Sequence, residues 1–203
     1  MKKNLSEISK ELNRESRFKG MPRVIFMTDQ AAQPCPEDVI DRMPEGSMVI
    51  LRDYDDEDRY DLAKALSYIC KSKEIKFLVA GDLTLSLMVE ADGIHLPEYM
   101  MGEALKIKED HSDFIITTAA HSEQAVSIAD KHGVYAILLA PIFSTKSHPE
   151  TFNDKSRVIG ADNVSEICKK YKSAIYALGG INTETAVTIM HSGIAGFAAI
   201  RGV

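Results

Sequence analysis

The 203-residue sequence has little of what marks several large protein classes. It holds three cysteines, Cys35, Cys70 and Cys168, an odd number without CxxC spacing. That usage argues against a disulfide framework or a thiolate metal site and for unpaired thiols of a cytoplasmic protein. The residues beside them fit one helix start and two helix ends. Six histidines are scattered without HExxH or paired-ligand spacing, so no zinc site is expected. Positive charge is also in short supply, since 24 Lys+Arg against 30 Asp+Glu give a formal net charge of −6. No basic, aromatic-rich cluster offsets that balance, so nucleic acid is not an expected partner. No apolar run approaches the ~18 residues that span a bilayer, so no membrane association is expected. The start, MKKNLSEISKELNRES, turns polar at once and lacks the apolar stretch of a secretory leader.

What is present is pattern. Short aliphatic and β-branched runs recur along the chain at residues 23–27 (RVIFM), 47–52 (SMVILR), 76–79 (KFLV) and 93–96 (GIHL). Four more follow at 113–118 (DFIITT), 134–139 (VYAILL), 174–178 (AIYAL) and 196–200 (GFAAI). Nearly continuous apolar runs are expected of strands buried on both faces of a parallel sheet. Between them lie helical patterns with one apolar stripe, at 58–71, 122–132, 162–171 and 183–192, the last opened by Asn182 or Thr183 as N-cap. Strict alternation of strand and helix over eight strands predicts an α/β (β/α)8 TIM barrel in a single domain. An open doubly wound sheet usually needs fewer strands, and no GxGxxG follows the first one.

The sequence ends just after the eighth strand, so a short form lacking the eighth helix is expected. A helical pattern at 5–17, with Leu5, Ile8 and Leu12 on one side, precedes the first strand and is expected to cover the wall left open. An incomplete helix layer also favours a homodimer.

In such barrels the site lies at the C-terminal ends of the strands. The residues there include Thr28, Asp29, Arg52, Gly81, Asp82, His95, Glu98, His121, Thr145, Ser147, His148, Gly179, Gly180 and Arg201. Gly179-Gly180 after strand seven suits backbone N–H contacts to an anion, or alternatively a tight turn. His121 is the best candidate for a proton shuttle, with a helix-capping role as the alternative. His95, within GIHL, faces either the barrel interior or the helix layer as a core histidine. The acidic run at 53–58 reads as a solvated loop and helix start.

These pieces resemble the family of thiamine phosphate synthases and thiazole tautomerases. The carriers are IFMTD at 25–29, VILRD at 49–53, EADGIHLPE at 90–98 and AAHS at 119–122. APIFSTKSH at 140–148, ALGGI at 177–181 and SGIAGFAAI at 192–200 complete the set, over about residues 23–203. The resemblance implies a (β/α)8 barrel of thiamine biosynthesis. Synthases join a pyrimidine diphosphate to a thiazole phosphate with Mg²⁺. Their Gln-Leu-Arg-Glu-Lys segment corresponds here to Ile50-Leu51-Arg52-Asp53-Tyr54, and their Gly-Gln-Glu-Asp run to Pro97-Glu98-Tyr99-Met100. The family serine before the strand-five histidine is Ala119. The tautomerase branch is closer at Gly81, Leu96-Pro97 and His121-Ser122.

The resemblance therefore implies metal-free isomerisation of a phosphorylated thiazole by His121, with Arg52, Gly81, Ser122, Thr145, Ser147 and His148 binding substrate. Gly179, Gly180, Ile200 and Arg201 would hold the phosphate, with Arg201 either replacing a lost cation or blocking the site. No cofactor is expected. The alternatives are a synthase, which would require Mg²⁺, and a non-catalytic phosphate-ligand binder.

Overall fold

The computed structural model describes residues 4–147 and 149–201. Asn4 opens α1 (Leu5–Glu15) with a capping box, its Oδ1 accepting from the backbone N–H of Glu7 while the Glu7 carboxylate accepts from that of Asn4. There follow β1 (Val24–Met27), α2 (Pro36–Arg42), β2 (Met48–Leu51), α3 (Arg59–Ser72) and β3 (Lys76–Ala80). Next come α4 (Leu83–Met88), β4 (Gly93–Leu96), a 3₁₀ turn (Glu98–Glu103), α5 (Ala104–Asp110), β5 (Ile115–Ala120) and α6 (Glu123–Lys131). The chain continues through β6 (Ala136–Leu139), α7 (Glu150–Asn153), a 3₁₀ turn (Lys155–Arg157), α8 (Ala161–Lys170), β7 (Ala174–Leu178), α9 (Thr183–Thr188) and β8 (Gly196–Ala199).

All eight strands pair in parallel and in chain order, and β8 returns to β1 to close the barrel. This is the expected (β/α)8 architecture. The fifth strand runs two residues later than its apolar pattern suggests. The N–H of Phe114 closes a turn on the His111 carbonyl, and pairing continues to Ala119↔Leu138 and Ala120↔Leu139. Alanine is a weak strand former, but here the neighbouring ladder decides. The last helix stops at Thr188, short of the expected 192, because the backbone turns through His191 at φ 63°.

Side chains alternate across the barrel wall. Phe26, Val49, Leu51, Phe77, Val79, Ile94 and Ile137 face outward and pack under the helices. Ile25, Met27, Met48, Ile50, Leu78, Leu138 and Tyr176 face inward. Tyr176 seals the N-terminal end, its hydroxyl donating to the Pro22 carbonyl at 2.6 Å. Cys70 and Cys168 are buried free thiols near the ends of α3 and α8, and Cys35 precedes α2, as the sequence suggested. No helix among the described residues is long and apolar enough to cross a membrane.

No helix follows β8 among the described residues, and α1 lies against β8 and α9. Ile8 and Leu12 are buried in the outer core. The Asn13 amide donates to the Ala195 carbonyl at 2.9 Å and to that of Met21 at 3.2 Å. Arg17 hydrogen-bonds to the carbonyls of Cys168 and Tyr171. This helix therefore serves the wall beside the closing seam, as its apolar stripe suggested. Leu12→Ala should cost about 2–4 kcal/mol and lower the melting temperature by roughly 5–15 °C. Thermal denaturation followed by circular dichroism checks this, and an unchanged midpoint would mean that α1 is not part of the core.

Candidate active site

A cavity of about 890 Å³ opens at the C-terminal ends of the strands. It forms where the inward residues become small, at Ala119 and Ala198, with Met27, His95 and Leu178 beneath and Ala199 at the end of β8 also lining it. Two exposed aromatics, Tyr99 and Phe152, stand at its mouth.

His121 follows β5 and lines this cavity. Its backbone N–H donates to Glu98 Oε2 at 2.6 Å, and its ring Nδ1 lies 2.9 Å from the Ala140 carbonyl. A carbonyl can only accept, so Nδ1 is the donor, and Nε2 is the ring atom left to exchange a proton with a ligand. The capping role that competed with this in the sequence belongs to Ser122, whose Oγ accepts from the Ala125 N–H at 3.2 Å. Ser122 therefore does not line the cavity.

Arg52 lines the opposite wall, held by Asp29 Oδ2 at 2.5 Å, while the Thr28 hydroxyl accepts from the Arg52 backbone N–H at 3.0 Å. Two residues on, Tyr54 also faces the cavity, with Arg59 over its ring at 5.4 Å. Burial pushes the Tyr54 phenol up, against the opposing pull of Arg52 and Arg59. Gly81 is outside the cavity lining. It turns at φ 69°, and a Cβ there would stand 3.1 Å from the Tyr54 ring, so its contribution is to leave room for that ring.

The loops after β6 and β7 meet across the cavity. Thr145 and Ser147 line it, together with Ser144 and Lys146. The loop is pinned by buried Thr151, which receives the Thr145 N–H on its hydroxyl at 3.0 Å and the Ser144 hydroxyl on its carbonyl at 2.7 Å. Lys155 adds an ammonium, donating to Ser144 Oγ at 2.8 Å. Gly180 sits at φ 69°, and a Cβ there would fall 2.5 Å from the Ser144 carbonyl oxygen. Only glycine lets the two loops touch. Gly179, Gly180, Ile200 and Arg201 all line the cavity, and the N–H groups of Gly180 and Ile181 donate to no described residue. His148 lies outside the described residues.

The structure therefore brings His121, Arg52, Thr145, Ser147, Gly179, Gly180, Ile200 and Arg201 around one space. It adds Tyr54, Ser144, Lys146, Phe152 and Asn182, which sequence reasoning missed. Tyr54 could have been found from its i, i+2 spacing to Arg52, and Ser144 and Lys146 from their place in the same short loop as Thr145 and Ser147. Phe152 and Asn182 carry no such signal.

The carboxylates at this end, which would have to hold the magnesium of a synthase reaction, are already engaged. Asp29 is taken by Arg52 and the Ala32 N–H, and Asp53 Oδ1 by the Gln30 N–H at 2.7 Å. Asp82 caps α4 through the Leu85 N–H at 2.8 Å and stands 3.7 Å from Arg59. Glu98, the one carboxylate lining the cavity among the described residues, holds the His121 backbone. Among these carboxylates Asp53 Oδ2 is a buried oxygen without a partner, and no three acidic, histidine or cysteine side chains converge among the described residues. This donor set does not fit a divalent ion, which prefers several converging oxygens.

Comparison with known proteins gives one consistent answer. Residues 24–203 match the family model described as thiamine monophosphate synthase. An Aquifex aeolicus protein provisionally named thiamine-phosphate synthase 2 is 37% identical over 155 residues, covering 75% of this chain and 80% of that one. A Pyrococcus furiosus thiamine-phosphate synthase is 27% identical over 185 residues, covering 89% and 86% of the two chains. The solved structure of thiamine phosphate pyrophosphorylase from Pyrococcus furiosus superposes with a TM-score of 0.71 at 21% identity, covering 92% of this chain and 86% of that one. With the barrel, its cavity and this match over nearly the whole chain in agreement, the protein belongs to the thiamine monophosphate synthase family.

Proposed function

We propose that this chain, a barrel of the thiamine-biosynthesis type, binds a thiazole phosphate in the cavity and moves a proton on it with His121. The observation that carries this reading is the His121 ring, whose Nδ1–H is spent on Ala140 and whose Nε2 is left to exchange a proton at the cavity. Nε2 would take a proton from one ring carbon of a non-aromatic thiazole carboxylate phosphate. The imidazolium would return a proton elsewhere in the conjugated system, so the product is the aromatic isomer of equal mass. The phosphate would rest on the N–H groups around Gly180 and Ile181, with Thr145, Ser147 and Arg201 beside it.

A second reading has the stronger support from the comparisons. The relatives reported above are named synthases or pyrophosphorylase, and none is named an isomerase. On that reading the same cavity would join a pyrimidine diphosphate to the thiazole phosphate and release pyrophosphate. The engaged carboxylates offer no holder for the metal of that reaction.

One assay separates the two. The purified protein should isomerise the thiazole carboxylate phosphate equally with and without a chelator, and His121→Asn should lower the rate by roughly 10²–10⁴-fold. Magnesium-dependent release of pyrophosphate, with no isomerisation, would establish the transferase instead. Gly180→Ala should weaken thiazole phosphate binding at least about tenfold by prising the two loops apart. Isothermal titration checks this, and an unchanged affinity would place the phosphate elsewhere.

A further inference from the structure

The floor of the cavity holds a second histidine that the proton-transfer reading leaves unused. On β4, Ile94 and Leu96 face the helices, so His95 faces inward, only 2% exposed yet part of the cavity lining. It pairs in register with Thr117 of β5, and Nδ1 lies 2.8 Å from the Thr117 hydroxyl oxygen. Thr117 is itself fully buried. Its hydroxyl has no other acceptor among the described residues. Donating that O–H into Nδ1 satisfies both buried groups, and the ring proton then sits on Nε2. Burial also pulls the His95 pKa down to about 3, so the ring stays uncharged at pH 5, where an ordinary histidine would be mostly protonated.

We propose that His95 is a specificity-determining residue of this cavity, presenting Nε2–H from the floor as a hydrogen-bond donor to an acceptor atom of the bound heteroaromatic ring or its carboxylate. The proposal rests on the reading that a thiazole phosphate occupies the cavity. It gives the two histidines opposite tasks. His121 presents a bare Nε2 that removes a proton, and His95 presents Nε2–H that steadies the negative charge then left on the ligand. A neutral imidazole can play this electrophilic part without giving up its proton. The selectivity that follows is for ligands with a ring nitrogen or carboxylate oxygen at the floor, against ligands that place an N–H there, because two facing donors leave both groups unpaired.

Long-range ¹H–¹⁵N correlation spectra of the full chain carrying ¹⁵N-histidine test the proposal directly. His95 should show the neutral Nε2–H form from pH 5 to pH 8, and the Nε2–H signal should move when thiazole phosphate is added. In calorimetric titrations His95→Phe should bind that ligand about 3–10-fold more weakly, while His95→Gln, which keeps a donor, should recover most of the affinity. The Nδ1–H form in the free protein would overturn the proposal whatever binds, as would wild-type affinity in His95→Phe. Should His95→Phe not fold, the spectra and His95→Gln decide alone. A wild-type protein that shows the Nε2–H form but does not bind thiazole phosphate would retire the functional reading and leave the donor in place.

Discussion

In a closed parallel barrel each strand turns every second side chain inward, and pairing of β8 with β1 leaves no strand free to slip by one residue. Everything at the candidate site follows from that register. It sets Ala80, His95 and Thr117 side by side on β3, β4 and β5, so the His95 ring meets the Thr117 hydroxyl inside the barrel. The same register sets Met48 and Tyr176 in the lower barrel and Ala119 and Ala198 at its C-terminal end. Dense packing below and small side chains above leave the empty space at the end where the loops converge.

The net charge of −6 would repel an anionic ligand at long range, so an anion must be drawn by local groups. Among the described residues lining the cavity, Arg52, Lys146 and Arg201 stand against the single carboxylate of Glu98. The other carboxylates near the rim act as scaffolding. Asp29 orients Arg52, Asp53 holds the loop at Gln30, Asp82 caps α4 and Glu98 fixes the His121 backbone. Each accepts a hydrogen bond from a donor that would otherwise be left unsatisfied, which is why an acidic sequence yields a cavity with more cations than anions. The expectation of a solvated acidic loop after Arg52 accounts for 55–57 but not for Asp53, whose side chain turns inward.

The loops after β6 and β7 show how one glycine ties two distant segments together. Ser144 lies over Gly180, is anchored on Thr151 and receives Lys155, so the hydroxyl-rich loop, the added ammonium and the glycine turn form one assembly. Sequence reading offered Arg201 as a replacement for the lost cation, and Arg201 lines the cavity. Lys155, outside the cavity lining, instead braces the loop by donating to Ser144 Oγ.

The sequence by itself determined the barrel, the number and order of its strands, the N-terminal helix and the place of His121 and the Gly179-Gly180 pair after strands five and seven. Apolar runs and glycine positions encode those features locally, through strand burial and backbone freedom. The tertiary structure alone decided between the two faces open to His95, removed Gly81 and Ser122 from the cavity wall and added Tyr54 and Ser144 to it. A strand buried on both sides gives no periodic sign of which face meets the helices and which meets the cavity. The protonation of each histidine was equally out of reach, because it depends on partners 19 residues away at Ala140 and 22 residues away at Thr117. Those partners become neighbours only when the barrel closes.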